Sequence, residues 1–523
     1  MDKFFKLKEN HTTVRTEILA GITTFMAMAY ILMVNAGMFG DLGEGMYNAV
    51  YIATAISAVI GTLLIGLMAK LPLAQASGMG LNAFFVYTVC FGMGFSYANA
   101  LVMVLVDGIV FILLTVTGLR RIIFEAIPKS VKTAISAGIG LFIAFLGLQN
   151  AGLVVNDDST LVNLHSFNVV FGDVAWADIM PLLITVVAVI AIGAMSKKKI
   201  KGAVFWGIIG AAVLYYVLGL LTVGGFYDTN VAGSLSMDVV QPFRDFFDLS
   251  FLKVFTEGFD FSAYIAANGT ASFIVTFLCT MLAFCMVDMF DTLGTLFGAC
   301  SVGGLLDEEG NIPRMEKAML ADAIATCAGA VCGTSTVTTF VESSAGVAVG
   351  GRSGLTSVSC AVMFFIAMFL APVAALIPSC ATAAALIYVG ILMIGGVKNI
   401  DWEDSAAAVP AFLTIAFMPF TIISYGIAFG LFSYSDKLHR KVKEIKVGTW
   451  ILYLFTIMFF VPLKSRRRAA VGLSTYGCVF VMFIFIMFAR CRYAARLRRS
   501  ERLRAVCGEP KRRTDFGKDS LAR

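Results

Sequence analysis

Runs of about 20 apolar residues recur from one end of this chain to the other, and each is long enough to cross a hydrocarbon core of about 30 Å. They fall near residues 17–40, 47–69, 71–93, 96–118, 131–150, 176–196, 202–224, 270–300, 317–332, 334–350, 355–377 and 380–397. A further apolar block covers 407–434, and two more cover 449–463 and 470–489. Lipid offers backbone N–H and C=O groups no partner, so a span has to be a helix or a strand of a closed barrel. A barrel would alternate apolar and polar residues over about ten positions, and no such alternation is present. Composition agrees: 59% of residues are hydrophobic, 14% are charged and the mean hydropathy is +0.86. A soluble domain is nearer half apolar and a quarter charged. The expectation is an all-α polytopic membrane protein. The polar start MDKFFKLKENHTTVRTE leads into Ile18–Phe39, a full span with no small-residue cleavage site before it, so no cleavable signal peptide is expected.

Orientation follows from Lys and Arg in short loops. Lys3, Lys6, Lys8 and Arg15 precede the first span, Arg120 and Arg121 follow the fourth, and KKKIK (Lys197–Lys201) follows the sixth. Loops 41–46 and 151–175 carry neither residue. The N-terminus is therefore expected in the cytoplasm, loop 225–262 outside and loop 301–316 inside. Block 407–434, read as a tight hairpin broken near Pro419, gives fourteen core spans and keeps KLHRKVKEIK (Lys437–Lys446) inside. The formal charge of +6 conceals a shift: residues 464–523 hold 16 Lys+Arg against 4 Asp+Glu, and the rest hold 24 against 30. That change marks a boundary after residue 463. The eleven cysteines lack metal-ligand spacing and read as small apolar residues. His11, His165 and His439 fall in expected loops, so no metal, cofactor or catalytic histidine is expected.

Two stretches depart from ordinary spans. LPLAQASGMGLNAFFVY (Leu71–Tyr87) and CGTSTVTTFVESSAGVAVG (Cys332–Gly350) each lack the bulk of a normal span at their start and then turn helix-like. Gly, Ser and Thr let backbone leave helical geometry, which membrane depth tolerates only where the backbone is buried or lines a cavity. One is the third span and the other the tenth, seven later. Such a matched pair points to inverted repeats with a binding site between them. The alternative is small-residue helix packing.

Acids at membrane depth are costly, about 2.5–3.5 kcal/mol on insertion scales. The candidates are Asp107, Asp288, Asp291, Asp322 and Glu342. Asp288 and Asp291, in VDMFDTLG, are three apart on one helix face; Glu342 lies inside the interrupted tenth span. Ionised carboxylates accept hydrogen bonds and donate none. They suit a neutral planar ligand rich in N–H groups, or a cation, and suit an anion poorly. Carboxyls away from water take up protons more readily, a physical route to proton coupling. Half-helix starts add backbone N–H donors, and Phe25, Phe84 and Phe340 could stack on a flat ring. With 45 Phe in the chain, ordinary packing is the competing reading for each.

TEILAGITTFMAMAYILMVNAGMF (Thr16–Phe39), ASGMGLNAFFVYTV (Ala76–Val89), VDMFDTLGTLFG (Val287–Gly298) and GTSTVTTFVESSAGVAVGGRSGLTS (Gly333–Ser357) resemble the AzgA-type purine permeases, which carry adenine, guanine and hypoxanthine, of the nucleobase–ascorbate transporter (xanthine/uracil permease) family. The resemblance covers roughly residues 1–463. It implies fourteen transmembrane helices in two inverted seven-helix repeats, about 16–224 and 270–434, with core and gate domains. Spans 3 and 10 would begin as short antiparallel strands. It further implies proton-coupled uptake of purine nucleobases across the cytoplasmic membrane by an elevator-like cycle, with a homodimer through the gate. Carried over residue by residue, Asp291 matches the acidic position of the eighth span that bonds the nucleobase, Glu342 matches the acidic position of the tenth, and Asn82 matches a polar position of the third that is needed for transport. Asp288 reads as a second shell or proton relay beside Asp291 and Glu342. Gly80, Ser343, Thr295 and Thr336 are chosen by proximity, and Phe25 and Phe340 join them as the rings that could stack on a nucleobase. The tail 464–523 departs from the family: its apolar segment 470–489 and Arg-rich end read as an extra span with a basic anchor, or as a fusion or shifted reading frame. No nucleic-acid motif accompanies it.

Two other functions compete with this reading. An anion transporter of the sulfate or dicarboxylate kind, on the same architecture, would leave the half-helix starts without acid or add an Arg. An intramembrane acid hydrolase could use Asp291 and Glu342 as its pair, but no histidine at membrane depth stands as base for the serines of GTSTV and ESSAG.

Overall fold

The computed structural model describes residues 2–117, 129–157, 161–167, 175–198, 202–224, 238–302 and 314–419, with a few single positions between and just beyond them. The chain divides into Met1–Leu463 and Lys464–Arg523. The second unit lies outside the described residues, as do 437–446, 449–463 and His439.

Among the described residues nine helices are long and apolar enough to cross a membrane. The first span is α1 (Val14–Met28) and α2 (Tyr30–Gly40), interrupted at Ala29. Thr13 caps it by accepting the Thr16 N–H. Next come α3 (Met46–Leu64), which continues as a π-helical turn to Ala69, then β1 (Gln75–Ser77) and α4 (Met79–Ala83), which runs on as π-helix to Met93. After α5 (Tyr97–Val116) and α6 (Lys129–Asn150) a hairpin forms from β2 (Val154–Asp157) and β3 (Leu161–Leu164). Then follow α7 (Trp176–Lys197), α8 (Ala203–Thr222), the 33-residue α9 (Thr270–Val302) and α10 (Met315–Cys332). The chain goes on through β4 (Val337–Thr339), α11 (Ser343–Val349), α12 (Gly354–Ala367), α13 (Ser379–Ile394) and α14 (Ser405–Phe417).

The observed spans begin and end within a few residues of the apolar runs. Two expected loops carry more structure than apolar patterning registers. Region 151–175 contains the β2–β3 hairpin, in register Val154↔Leu164 to Asp157↔Leu161. Region 225–262 contains short helices at Gln241–Asp245 and Lys253–Thr256. These tuck inward: the Leu252 N–H donates to the Val331 carbonyl, and the Ser250 hydroxyl to that of Cys332. Block 407–434 doubles back, as a hairpin would. Helix α14 stops before Pro419, Phe429 stacks on Phe417 with ring centroids 4.4 Å apart, and a Cβ on Gly430 would collide with the Thr414 hydroxyl.

The helices sort by packing into two groups. One holds α1 to α5 and α9 to α12 with the strands β1 and β4; the other holds α6, α7, α8, α13 and α14. In the second group α6 crosses α13 closely, and a Cβ on Gly140 would lie 3.0 Å from the Gly390 carbonyl oxygen. Small residues let backbones approach in this way where lipid removes the hydrophobic drive between helices.

β1 and β4 pair antiparallel in the register Gln75↔Thr339, Ala76↔Thr338 and Ser77↔Val337. Three-residue strands this deep are stable only if every other backbone group finds a partner. Hydroxyls supply them. Thr62 on α3 accepts from the Gln75 N–H and donates to its carbonyl, each at 3.0 Å. Thr326 on α10 serves Val337 in the same way, at 3.3 and 3.2 Å. Ser357 on α12 donates to the carbonyls of Leu71 and Leu73, and Ser343 binds both the N–H and the carbonyl of Ala74. Hydroxyls on the neighbouring helices α3, α10 and α12, with Ser343 at the start of α11, are therefore what stabilises non-helical backbone at this depth.

Candidate substrate site

The strand crossing positions the acids. Asp291, on α9, accepts through Oδ2 from the Thr338 hydroxyl of β4 at 3.2 Å. Glu342 lies in the turn between β4 and α11, where its Oε1 accepts from the Tyr30 hydroxyl at 2.7 Å. Its Oε2 is buried and meets no hydrogen-bond partner among the described residues. Asp291 lies close enough to Asp322 and Glu342 to interact with their charge. Asp322, fully buried on α10, accepts from the Thr292 hydroxyl through both oxygens, at 3.0 and 2.9 Å, and from the Gln75 amide at 3.3 Å. Asp288, one turn before Asp291, and Asp107, on α5, are fully buried.

Asn82 is fully buried in α4, behind the crossing. Its carbonyl oxygen accepts from the hydroxyls of Ser77 and Ser335. Thr334 donates to the Ser77 hydroxyl at 2.9 Å, and Asn35 on α2 donates to Thr334 at 3.0 Å and to Thr54 at 2.6 Å. Asn82 thus ties both interrupted segments to the first two spans. Gly333 opens this stretch at φ +97°, and a Cβ there would strike Tyr97 and Ser250.

The remaining candidates, chosen by proximity or for a stacking ring, divide. Ser343 spends its hydroxyl on the Ala74 backbone, and Phe340 donates its N–H to the Ala74 carbonyl at 3.1 Å, so both lock the crossing. Gly80 is buried in the first turn of α4. The Thr336 hydroxyl is buried without a partner among the described residues. The Thr295 hydroxyl donates into its own helix, to the carbonyls of Asp291 and Thr292. Phe25 packs edge-on against Phe364, centroids 5.2 Å apart. The partners the sequence reading missed are Tyr30, Thr338, Gln75 and Thr292. Tyr30 did carry a signal: it is a hydroxyl-bearing side chain amid the apolar residues of FMAMAYILMV.

With β1, β4 and the acids in place, the chain can be set beside known proteins. The model of the Permease family (Xan_ur_permease) matches residues 15–428. The guanine/hypoxanthine permease PbuO of Bacillus subtilis strain 168 is 38% identical over 467 residues, covering 88% of this chain and 99% of PbuO. The adenine permease AdeP of Escherichia coli K12 is 36% identical over 438 residues, covering 83% of this chain and 89% of AdeP. Among solved structures, the transmembrane domain of a cyanobacterium bicarbonate transporter, BicA, superposes with a TM-score of 0.54 at 14% identity, covering 80% of this chain and 97% of that one. That likeness is one of fold alone.

Proposed function

The chain belongs to the Permease family, and from that premise we propose that it is a secondary active transporter that takes purine nucleobases up across the cytoplasmic membrane with protons. The observation that carries the reading is the β1–β4 crossing, which brings Asp291, held by Thr338, and Glu342, held by Tyr30, to one place. Two carboxyl groups offer acceptors for the ring and amino N–H groups of a purine. Segments 71–93, 270–302 and 334–350 contain no Lys or Arg, so nothing in them would neutralise an anion beside those acids. The names of PbuO and AdeP support purines as the substrate class.

In this reading Asp291 and Glu342 accept the substrate and exchange the coupling proton, with Asp288 in support, and Asn82 with its serines holds the half-helices in register. The α1–α5/α9–α12 group is the moving core, the α6–α8/α13–α14 group is the gate and homodimer contact, and the N-terminus is cytoplasmic. The two threonine-braced strands, Thr62 on Gln75 and Thr326 on Val337, support an inverted repeat. The test is uptake of labelled adenine, guanine and hypoxanthine by a strain lacking its own purine permeases. Unlabelled purines should compete, and sulfate or bicarbonate should not. If Asp291→Asn and Glu342→Gln both transport normally, this assignment of the site is wrong.

A further inference from the structure

We propose that Tyr30 is a positioning residue for Glu342: it engages Oε1 and thereby turns Oε2, the oxygen without a protein donor among the described residues, toward a substrate N–H. The inference rests on the purine-uptake reading and deepens it. The Tyr30 ring is fully buried at the start of α2, directly after the interruption at Ala29, so its hydroxyl is fixed in place. That hydroxyl meets Glu342 Oε1 at 2.7 Å, across 312 positions of sequence. The Glu342 backbone is held independently. Phe340 donates to Ala74, Ser343 grips Ala74 from both sides, and the Ser343 N–H returns to the Phe340 carbonyl. The backbone is therefore pinned by the strand crossing, and Tyr30 is the described side chain that donates to the carboxyl.

A glutamate has several rotatable bonds, and ordering them opposes binding unless it is done beforehand. The Tyr30 bond orders them in advance. It also separates the two oxygens by role. Oε1 is engaged by a donor the protein supplies, while Oε2 is buried without a partner. A buried acceptor left unmatched is costly, and a ligand N–H at Oε2 removes that cost on binding. The site therefore prefers ligands with a donor N–H on the edge facing α11, and discriminates against analogues that carry only a ring nitrogen acceptor or an N-methyl group there.

The experiment compares Tyr30→Phe with the wild type in the same uptake strain. The ring stays and only the hydroxyl goes. The expected result is a KM for purine raised about tenfold, equivalent to about 1.4 kcal/mol, with maximal rate and membrane abundance within twofold, and a changed pH profile of KM. A merely structural tyrosine would lower abundance or maximal rate and leave the profile alone. An unchanged KM and profile in Tyr30→Phe overturns the proposal, and wild-type protein that takes up no purine overturns the underlying reading instead. Should Tyr30→Phe fail to reach the membrane, 3,5-difluorotyrosine at position 30 keeps the shape and alters only the donor. A threefold or larger change in KM then supports the proposal, and an unchanged KM refutes it.

Discussion

Glu17 tests the physical account of how this fold is held, away from the substrate site. It is fully buried near the start of α1, and its carboxylate accepts five donors from the start of α12. Oε1 takes the Arg352 N–H at 2.8 Å; Oε2 takes the N–H and hydroxyl of Ser353 at 3.2 and 2.8 Å and those of Thr356 at 3.1 and 2.7 Å. Glu17→Gln preserves shape but replaces one oxygen with NH2. The better orientation keeps oxygen where four donors converge, which turns the NH2 group onto the Arg352 N–H. One charge-assisted bond becomes donor against donor, and the other four lose the charge. At about 1.5–3 kcal/mol for a bond to a charged group, the loss is about 3 kcal/mol. Glu17→Ala strands the Arg352 and Ser353 N–H groups, while the Thr356 N–H keeps its bond to the Ser353 carbonyl at 3.2 Å; about 4 kcal/mol is expected at about 1–3 kcal/mol for each stranded group. At the lower end of the usual scaling, about 2 °C per kcal/mol for a large chain, apparent melting in detergent should fall by about 6 °C for Gln and about 8 °C for Ala. Glu9→Gln, which breaks only the exposed Lys6–Glu9 pair, should leave it unchanged. Purine KM in Glu17→Gln should stay within twofold of wild type. Glu17→Ala protein that melts within 2 °C of wild type would refute the reasoning.

Further outcomes follow from the same geometry. Asn82→Ala removes the acceptor shared by Ser77 and Ser335, so initial uptake should fall at least tenfold; a normal rate would show that the half-helices need no such tie. Gly354→Ala drives a Cβ into the Gly66 carbonyl oxygen, and overpacking of this kind costs about 1–3 kcal/mol, so membrane-inserted protein should drop severalfold, while Gly37→Ala, with open space around it, should be silent. If coupling runs through protons, a protonophore should abolish purine accumulation above equilibrium, and accumulation that survives it would exclude that driving force. Deleting 464–523 should leave uptake within twofold, since the reading gives the tail no part in the cycle; a larger loss assigns it one.

The apolar runs made the helical spans legible because insertion into lipid constrains length and hydropathy so tightly that few other readings fit. Interruptions at the starts of segments 71–87 and 332–350 were legible for a related reason: a segment that lacks the bulk of an ordinary span at that depth points to backbone that is not helical. What the sequence could not show was which hydroxyl meets which group. Tyr30 bonds Glu342 across 312 positions and Thr338 bonds Asp291 across 47, and no local period encodes either distance. Glu17 escaped notice as a structural acid for a different reason. It sits at the polar end of the first run, where an acid looks solvated, yet its partners lie in GGRSGLTS, more than 330 positions on. The first and last of the stretches that carried the family resemblance are therefore joined to each other by hydrogen bonds. Phe25, chosen for its ring, and Thr295, chosen by proximity, show what a sequence leaves open, because position along a helix says nothing about which neighbour a side chain meets. One packs on Phe364 and the other bonds its own helix.

The five acids at membrane depth also part company on physical grounds. Asp322 has both oxygens engaged by Thr292 and one also by Gln75, so it braces β1 from α10 and has little to offer a ligand. Glu342 differs because its two oxygens differ, one given a hydroxyl and the other left to whatever enters the site. A carboxyl matched entirely by protein donors would bind no substrate, and one matched by none would lack a fixed orientation. Partial matching is the arrangement that serves a transporter, since the acceptor has to hold a ligand N–H and then release it. Tight binding would defeat turnover, and the hydroxyl on Oε1 sets how much of the carboxyl is available for it.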